Sequence, residues 1–268
     1  MEPRTEPTGD LVRTEEVVRG FVKAAVLAAC LGAAGAPGGL AAKGTHNAEV
    51  QINLCSGVEE TAQALHLQPV AAERYEVWYF DTADTALFRN GVVERMRIKG
   101  GSTELTLKFA DQDCARVAPG SLPQHQSKCE YDVRGAASAA GAISISRTLG
   151  DAEWRSLLAK PGDLPAMLSP AQVDFLRGKT SAWPLPSQLL ALGPVRVQPY
   201  RAKGEEFVVE AWQFPSGHRL LEISQKSSLS KALELNDDLQ ARLTRHRLAI
   251  CPDQGSPAGE KLRDLLGR

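Results

Sequence analysis

Three basic side chains crowd into one short stretch, GVVERMRIKGGSTELTLKF, residues 91–109. Arg95 and Arg97 sit two apart on the first of two apolar-patterned strands, and Lys108 closes the second. Side chains two apart on a strand share a face, so all three charges can converge. Arginine's planar fork takes two oxygens at once and lysine adds a point charge. Together they suit a small anion rich in oxygens, such as a phosphate chain.

The same alternation recurs elsewhere. Glu49, Gln51 and Asn53 share a face of AEVQINLC, while Lys128, Glu130 and Asp132 share one of SKCEYDVRG. Glu222, Ser224 and Lys226 do so in HRLLEISQK, and Arg196 with Gln198 in GPVRVQPYR. Carboxylates in such company could hold a hard divalent cation, Mg²⁺ or Mn²⁺, bridging the oxygens of the anion. An antiparallel sheet with one wet face would alternate in the same way.

The elements that must position these groups read as strands with helical insertions. Alternating or β-rich runs cover 48–55, 74–82, the hairpin, 127–135 and a second half built from GPVRVQPYR, EEFVVEAWQF and HRLLEISQK. GVEETAQALHL (57–67) has helical spacing, and an Ala/Gly/Ser stretch, GAASAAGAIS, leads into helices near 151–159 and 169–177. Ser169 and Pro170 start the latter. KALELNDDLQARLTRHRLAI and SPAGEKLRDLL are amphipathic helices. Acids and bases cluster strand by strand, and the helices have apolar faces to bury. A barrel with a charged lumen and helices outside meets both demands.

Composition narrows the function classes. The chain has 268 residues, 43% of them apolar, and a formal net charge of -1. That is enough for a sizeable core, and it argues against nucleic acid as a partner because no basic excess is available. Phe21 to Ala42 has the order of an export signal, with Arg19 and Lys23 on its amino side. Within it Leu27-Ala28-Ala29-Cys30 matches a lipoprotein box, so Cys30 is a candidate lipid anchor. Residues 1–44 are read as signal peptide or lipoprotein leader and linker, giving an exported, periplasmic or membrane-anchored protein; a flexible arm on a cytoplasmic protein is the alternative. Cys55, Cys114, Cys129 and Cys251 remain, permitting two disulfides in three connectivities. Cys114 and Cys129 flank the loop APGSLPQHQ and are the preferred pair; four buried thiols are the alternative. The five histidines are scattered and none is assigned to a metal.

The run YFDTADTALFRNGVVERMRIKGGSTELTLK (79–108) resembles the signature of CYTH domains, the triphosphate tunnel metalloenzymes. That pattern is a strand ending Tyr-Phe-Asp-Thr, a Leu-x-x-x-Gly turn, an Arg-x-Arg strand and a Leu-Thr-Leu-Lys strand. More weakly, the likeness runs from Glu49 to Lys226. It implies an α+β fold over 45–268, an antiparallel eight-stranded barrel with flanking helices, including an insertion at about 148–180 and C-terminal helices. It also implies a triphosphate held by Arg95, Arg97, Lys108 and Lys128, with Arg196 or Arg201, and Lys226, as further cations. Glu49, Glu130, Asp132 and Glu222 would then hold Mg²⁺ or Mn²⁺. The family includes inorganic and thiamine triphosphatases and class IV adenylate cyclases. Its Glu-x-Glu-x-Lys strand reads Glu49-x-Gln51-x-Asn53 here, and Ser224 stands where a second late acid belongs. Two expectations follow. One is a metal-dependent triphosphate hydrolase in which a metal-positioned water attacks the terminal phosphorus. The other is a polyanion-binding protein without turnover.

Overall fold

The computed structural model describes residues 47–118, 121–123, 126–135, 138–254 and 257–267. The leader and Cys30 lie outside them. Along the described chain run β1 (Asn47–Leu54), α1 (Val58–Ala64), β2 (Gln68–Pro69), β3 (Tyr75–Asp81), α2 (Ala86–Arg89), β4 (Val92–Lys99) and β5 (Ser102–Phe109). Next come β6 (Ser127–Arg134), β7 (Ser138–Leu149), α3 (Asp151–Ala159), α4 (Leu164–Met167) and α5 (Pro170–Lys179). The last are β8 (Leu190–Arg201), β9 (Val208–Gln213), β10 (Arg219–Ser228), α6 (Leu229–Arg245) and α7 (Pro257–Leu265).

Nine strands close a barrel in the order β8-β3-β4-β5-β7-β6-β1-β10-β9, with β9 returning to β8 and β2 outside it on β8. The expected count was eight, all antiparallel. The additional strand is β7, which fills the Ala/Gly/Ser stretch and pairs with β5 and β6. A closed ring of nine cannot alternate direction throughout, so one parallel pair is unavoidable. That pair is β1 with β6, from Asn47↔Glu130 to Val50↔Val133.

The glycine in β7 has a steric reason. A Cβ on Gly141 would lie 1.9 Å from the Gln112 carbonyl oxygen, and the Gln112 amide donates to the Gly141 carbonyl at 2.9 Å. A glycine in a strand marks such a close approach of backbone. The β4–β5 hairpin turns on Gly100 and Gly101, both at positive φ (55° and 82°), as a two-residue turn of matching twist demands.

Two apolar layers cover the outside. Phe80, Met96, Leu105, Leu107 and Ile145 on β3, β4, β5 and β7 pack against Leu157, Leu164 and Leu176 of α3, α4 and α5. Ser169 caps α5, and the buried Gln172 side chain donates to the carbonyls of Leu105 and Ile145, fastening the helix to the sheet. On the other flank, Ala48, Val50, Ile52 and Ile223 meet Leu239 and Leu243 of α6. A third cluster lies inside the ring. Tyr75, Val77, Tyr79, Val195, Val197 and Trp212 close around Leu262 of α7, which makes the last helix an apolar floor to the lumen.

Among the described residues two disulfides are present, Cys55–Cys251 and Cys114–Cys129. The first ties the end of β1 to the segment between α6 and α7. Beside it, the Gln254 side chain accepts from the Asn53 amide at 2.8 Å and donates to the Asn53 carbonyl at 3.0 Å. These bonds fix the point from which α7 enters the ring.

Candidate functional site

The alternation read from the sequence turns the charged faces inward. Register pairs Tyr79 with Arg95 and Val77 with Arg97, then Arg95 with Thr106 and Val93 with Lys108. It continues through Lys108↔Ser144, Lys128↔Ser144, Glu49↔Asp132 and Glu49↔Lys226. All of these residues' charged groups line one cavity of about 760 Å³, together with Gln51, Glu130, Glu222 and Ser224. The Tyr-Phe-Asp-Thr end of β3 has a supporting part. Buried Asp81 accepts the amides of Thr82, Leu87 and Phe88 at 2.7, 2.9 and 3.0 Å, holding α2 against the start of β4.

Inside the lumen most charges answer one another. Lys108 pairs with Asp132 and Lys128 with Glu130, and Lys226 reaches Glu130 at 3.6 Å. Arg134 donates to Glu222 at 3.0 Å, with Lys261 Nζ at 4.0 Å from the same oxygen. At the rim Glu73 meets Arg201 at 3.2 Å and Lys99 at 3.8 Å. Exposure of the side chains rises from 5–10% at Lys261, Glu222 and Arg134 to 44–69% at Arg201, Lys99, Lys128 and Lys226. The lumen therefore runs from a dry floor at α7 to a wet, basic mouth.

Burial sets the electrostatics of the floor. It pushes the Glu49 carboxyl up, with Glu130 and Glu222 adding to the effect. It pushes Glu210 up as well, and Tyr75 Oη donates to that carboxylate at 2.7 Å. Burial works the same way on Glu222, but Lys261 and Arg134 outweigh it and hold the group below its usual range. The Lys261 ammonium, 3.3 Å from the centre of the Trp212 ring, is pushed down to about 8 by its own desolvation.

By sequence, no protein-family profile and no curated protein matches the chain. By structure it resembles HpAC1, an adenylyl cyclase candidate from Hippeastrum with a dominant triphosphatase activity. That match has a TM-score of 0.54 at 14% identity, over 81% of this chain and 95% of the other. An adenylate cyclase candidate from Bacillus halodurans gives 0.52 at 18% identity, over 78% and 94%. The chain has a CYTH-like fold.

Within that fold, one expectation needs correcting. Arg196 does not enter the CYTH-like lumen: it pairs with Gln213 on the outer face and meets exposed Glu76 at 3.5 Å. Its neighbours Val195 and Val197 point inward instead, because this part of the ring wraps the apolar floor. Charge-in, apolar-out holds only where no helix fills the barrel. Arg201 does line the rim. The carboxylates expected to hold Mg²⁺ or Mn²⁺ all line the lumen, but their partners differ from that expectation. Among the described residues no three carboxylate, histidine or cysteine side chains converge as a metal centre. Glu130, Asp132 and Glu222 each face lysine or arginine instead, so the donor set does not fit a divalent ion.

Among the lumen residues that escaped the sequence reading are Arg134, Glu210 and Lys261. Arg134 and Glu210 were within reach of the same parity rule, one step beyond Asp132 on β6 and mid-strand on β9. Lys261 was not, since nothing local says that an amphipathic terminal helix will enter a barrel.

Proposed function

We propose that the lumen binds a compact, phosphate-rich anion of the triphosphate class. One observation carries the reading. Every other lysine and arginine lining the cavity has a carboxylate within ion-pair distance, whereas Arg95 and Arg97 have none among the described residues. Arg97 lies over the Tyr75 ring at 4.8 Å, and its buried Nε has no hydrogen-bond acceptor. Sequestering unmatched guanidinium groups is unfavourable, and oxyanions would supply both the charge and the acceptors. Lys108, Lys128 and Lys226 lie on β5, β6 and β10, each one strand removed from the next, and can turn from Glu130 and Asp132 to further oxygens. Lys261 adds a cation at the floor.

The test is titration calorimetry with tripolyphosphate in EDTA. Arg95→Ala and Arg97→Ala should each weaken binding roughly ten- to a hundredfold, since a charge-assisted contact contributes about 1.5–3 kcal/mol. Added salt should weaken binding further by screening. Affinity indifferent to both substitutions would refute the anion site.

A second reading, hydrolysis of the bound anion, is favoured by the triphosphatase activity of HpAC1 on a similar fold. Phosphate release from tripolyphosphate, followed with and without Mn²⁺, separates turnover from binding. The proposal also places the protein outside the cytoplasm, supported by the export-like stretch from Phe21 to Ala42 and by two disulfides. Thiols found reactive in freshly recovered protein would count against that address.

A further inference from the structure

Arg134 lies at the heart of the lumen, and its neighbours form a chain of matched donors and acceptors. The Arg134 guanidinium donates through Nη2 to Gln51 Oε1 and, at 3.0 Å, to Glu222 Oε2. Gln51 Nε2 in turn donates to Glu49 Oε2 at 3.1 Å. The amide at position 51 accepts from a guanidinium on one side and donates to a carboxylate on the other, which a carboxylate cannot do. A glutamate there would set two acids against each other. Asn53 looks away from this chain, its Nδ2 donating to Glu260 of α7 at 3.2 Å. The side chains of Arg134 and Glu222 are 10% and 6% exposed, and Lys261 lies 4.0 Å from Glu222 Oε2.

We infer that Arg134 is a built-in substitute for a divalent cation, so that the lumen takes its phosphate-rich anion without metal. The inference rests on the anion-binding reading above and deepens it. A divalent ion between Glu49, Gln51 and Glu222 would have to displace a guanidinium already hydrogen-bonded to two of them, next to a second buried cation, Lys261. Lys261 and the guanidinium together keep Glu222 ionised, and Arg95 and Arg97 are left for the incoming oxygens. On this view Gln51 and Arg134 act together, putting fixed protein charge where a metal would stand.

Two measurements test it on the full protein. Manganese binding to the ligand-free chain is read from loss of the free Mn²⁺ paramagnetic resonance signal. The wild type should take up no lumenal Mn²⁺, Arg134→Lys should behave alike, and Gln51→Glu/Arg134→Met should bind Mn²⁺ at least tenfold more tightly than wild type. Tripolyphosphate binding is then measured calorimetrically in EDTA, where the wild type should bind. Mn²⁺ uptake by the wild type that Glu222→Gln abolishes would overturn the role of Arg134 while leaving the anion site standing. Tripolyphosphate binding that appears only when Mn²⁺ is added would do the same. No binding of tripolyphosphate under either condition would remove the anion site itself. If Gln51→Glu/Arg134→Met does not fold, the wild-type and Arg134→Lys measurements still decide.

Discussion

At the scale of single residues, the period-two rule located most of the lumen. Glu49, Gln51, Arg95, Arg97, Lys108, Lys128, Glu130, Asp132, Glu222 and Lys226 all line it, because a strand has only two faces and charge prefers the one that helices do not cover. The rule failed at Arg196, where the inside is apolar, and it could not see Lys261, whose position depends on tertiary docking. Lys261 supports a prediction with two opposite signs. Its ammonium, pushed down from 10.5 to about 8 by burial, is charged below that pH and neutral above it. Tripolyphosphate affinity should therefore fall as pH rises through about 8, by roughly tenfold relative to Lys261→Met, a comparison that cancels the ligand's own titration. Fold stability should move the other way over the same window. Between about 8 and 10.5 the unfolded chain holds more protons at this group, so its contribution to stability rises with pH. Calorimetric binding and denaturant titrations at pH 7 and 9.5 check the two trends. Equal pH dependence in wild type and Lys261→Met would remove Lys261 from the site.

At the scale of elements, eight of the nine barrel strands and the main helices were legible, because their alternation or helical spacing was strong. β7 was missed because its first half, Ala139, Ala140, Gly141 and Ala142, carries neither β-branched bulk nor a polar–apolar rhythm, although Ile143-Ser144-Ile145-Ser146 alternates. What keeps Gly141 small is a partner distant in sequence, the backbone at Gln112. Gly141→Ala should accordingly destabilise the fold by about 1–3 kcal/mol, as overpacking does, read as a lower midpoint in urea. A substitution without effect would mean the Gln112 segment yields easily. The floor is testable in the same way. Leu262 is buried among ring residues, and Leu262→Ala should lower stability by about 2–5 kcal/mol. It should also loosen the seat of Lys261, seen as a change in the fluorescence of Trp212.

For the whole molecule, the preferred cysteine pair could be named from its short loop, whereas Cys55–Cys251 followed only by elimination. That bridge spans a sequence separation of 196 residues. Cross-links closing long loops restrict the unfolded chain most in the entropic account. Cys55→Ala/Cys251→Ala should lower stability by about 2–5 kcal/mol, measured against the oxidised wild type by thermal melting, and reductant should lower the wild-type melting temperature in the same direction. The position of α7 has one more consequence. A barrel with a packed floor and one basic mouth is a socket, and nothing linear can be threaded through a socket. A long phosphate polymer could engage it only by a terminus, with its interior units left in solvent. Ligands of three, ten or a hundred units should then saturate the protein at similar concentrations of chain ends, and a ring of phosphates, having no end to offer, should compete poorly with all of them.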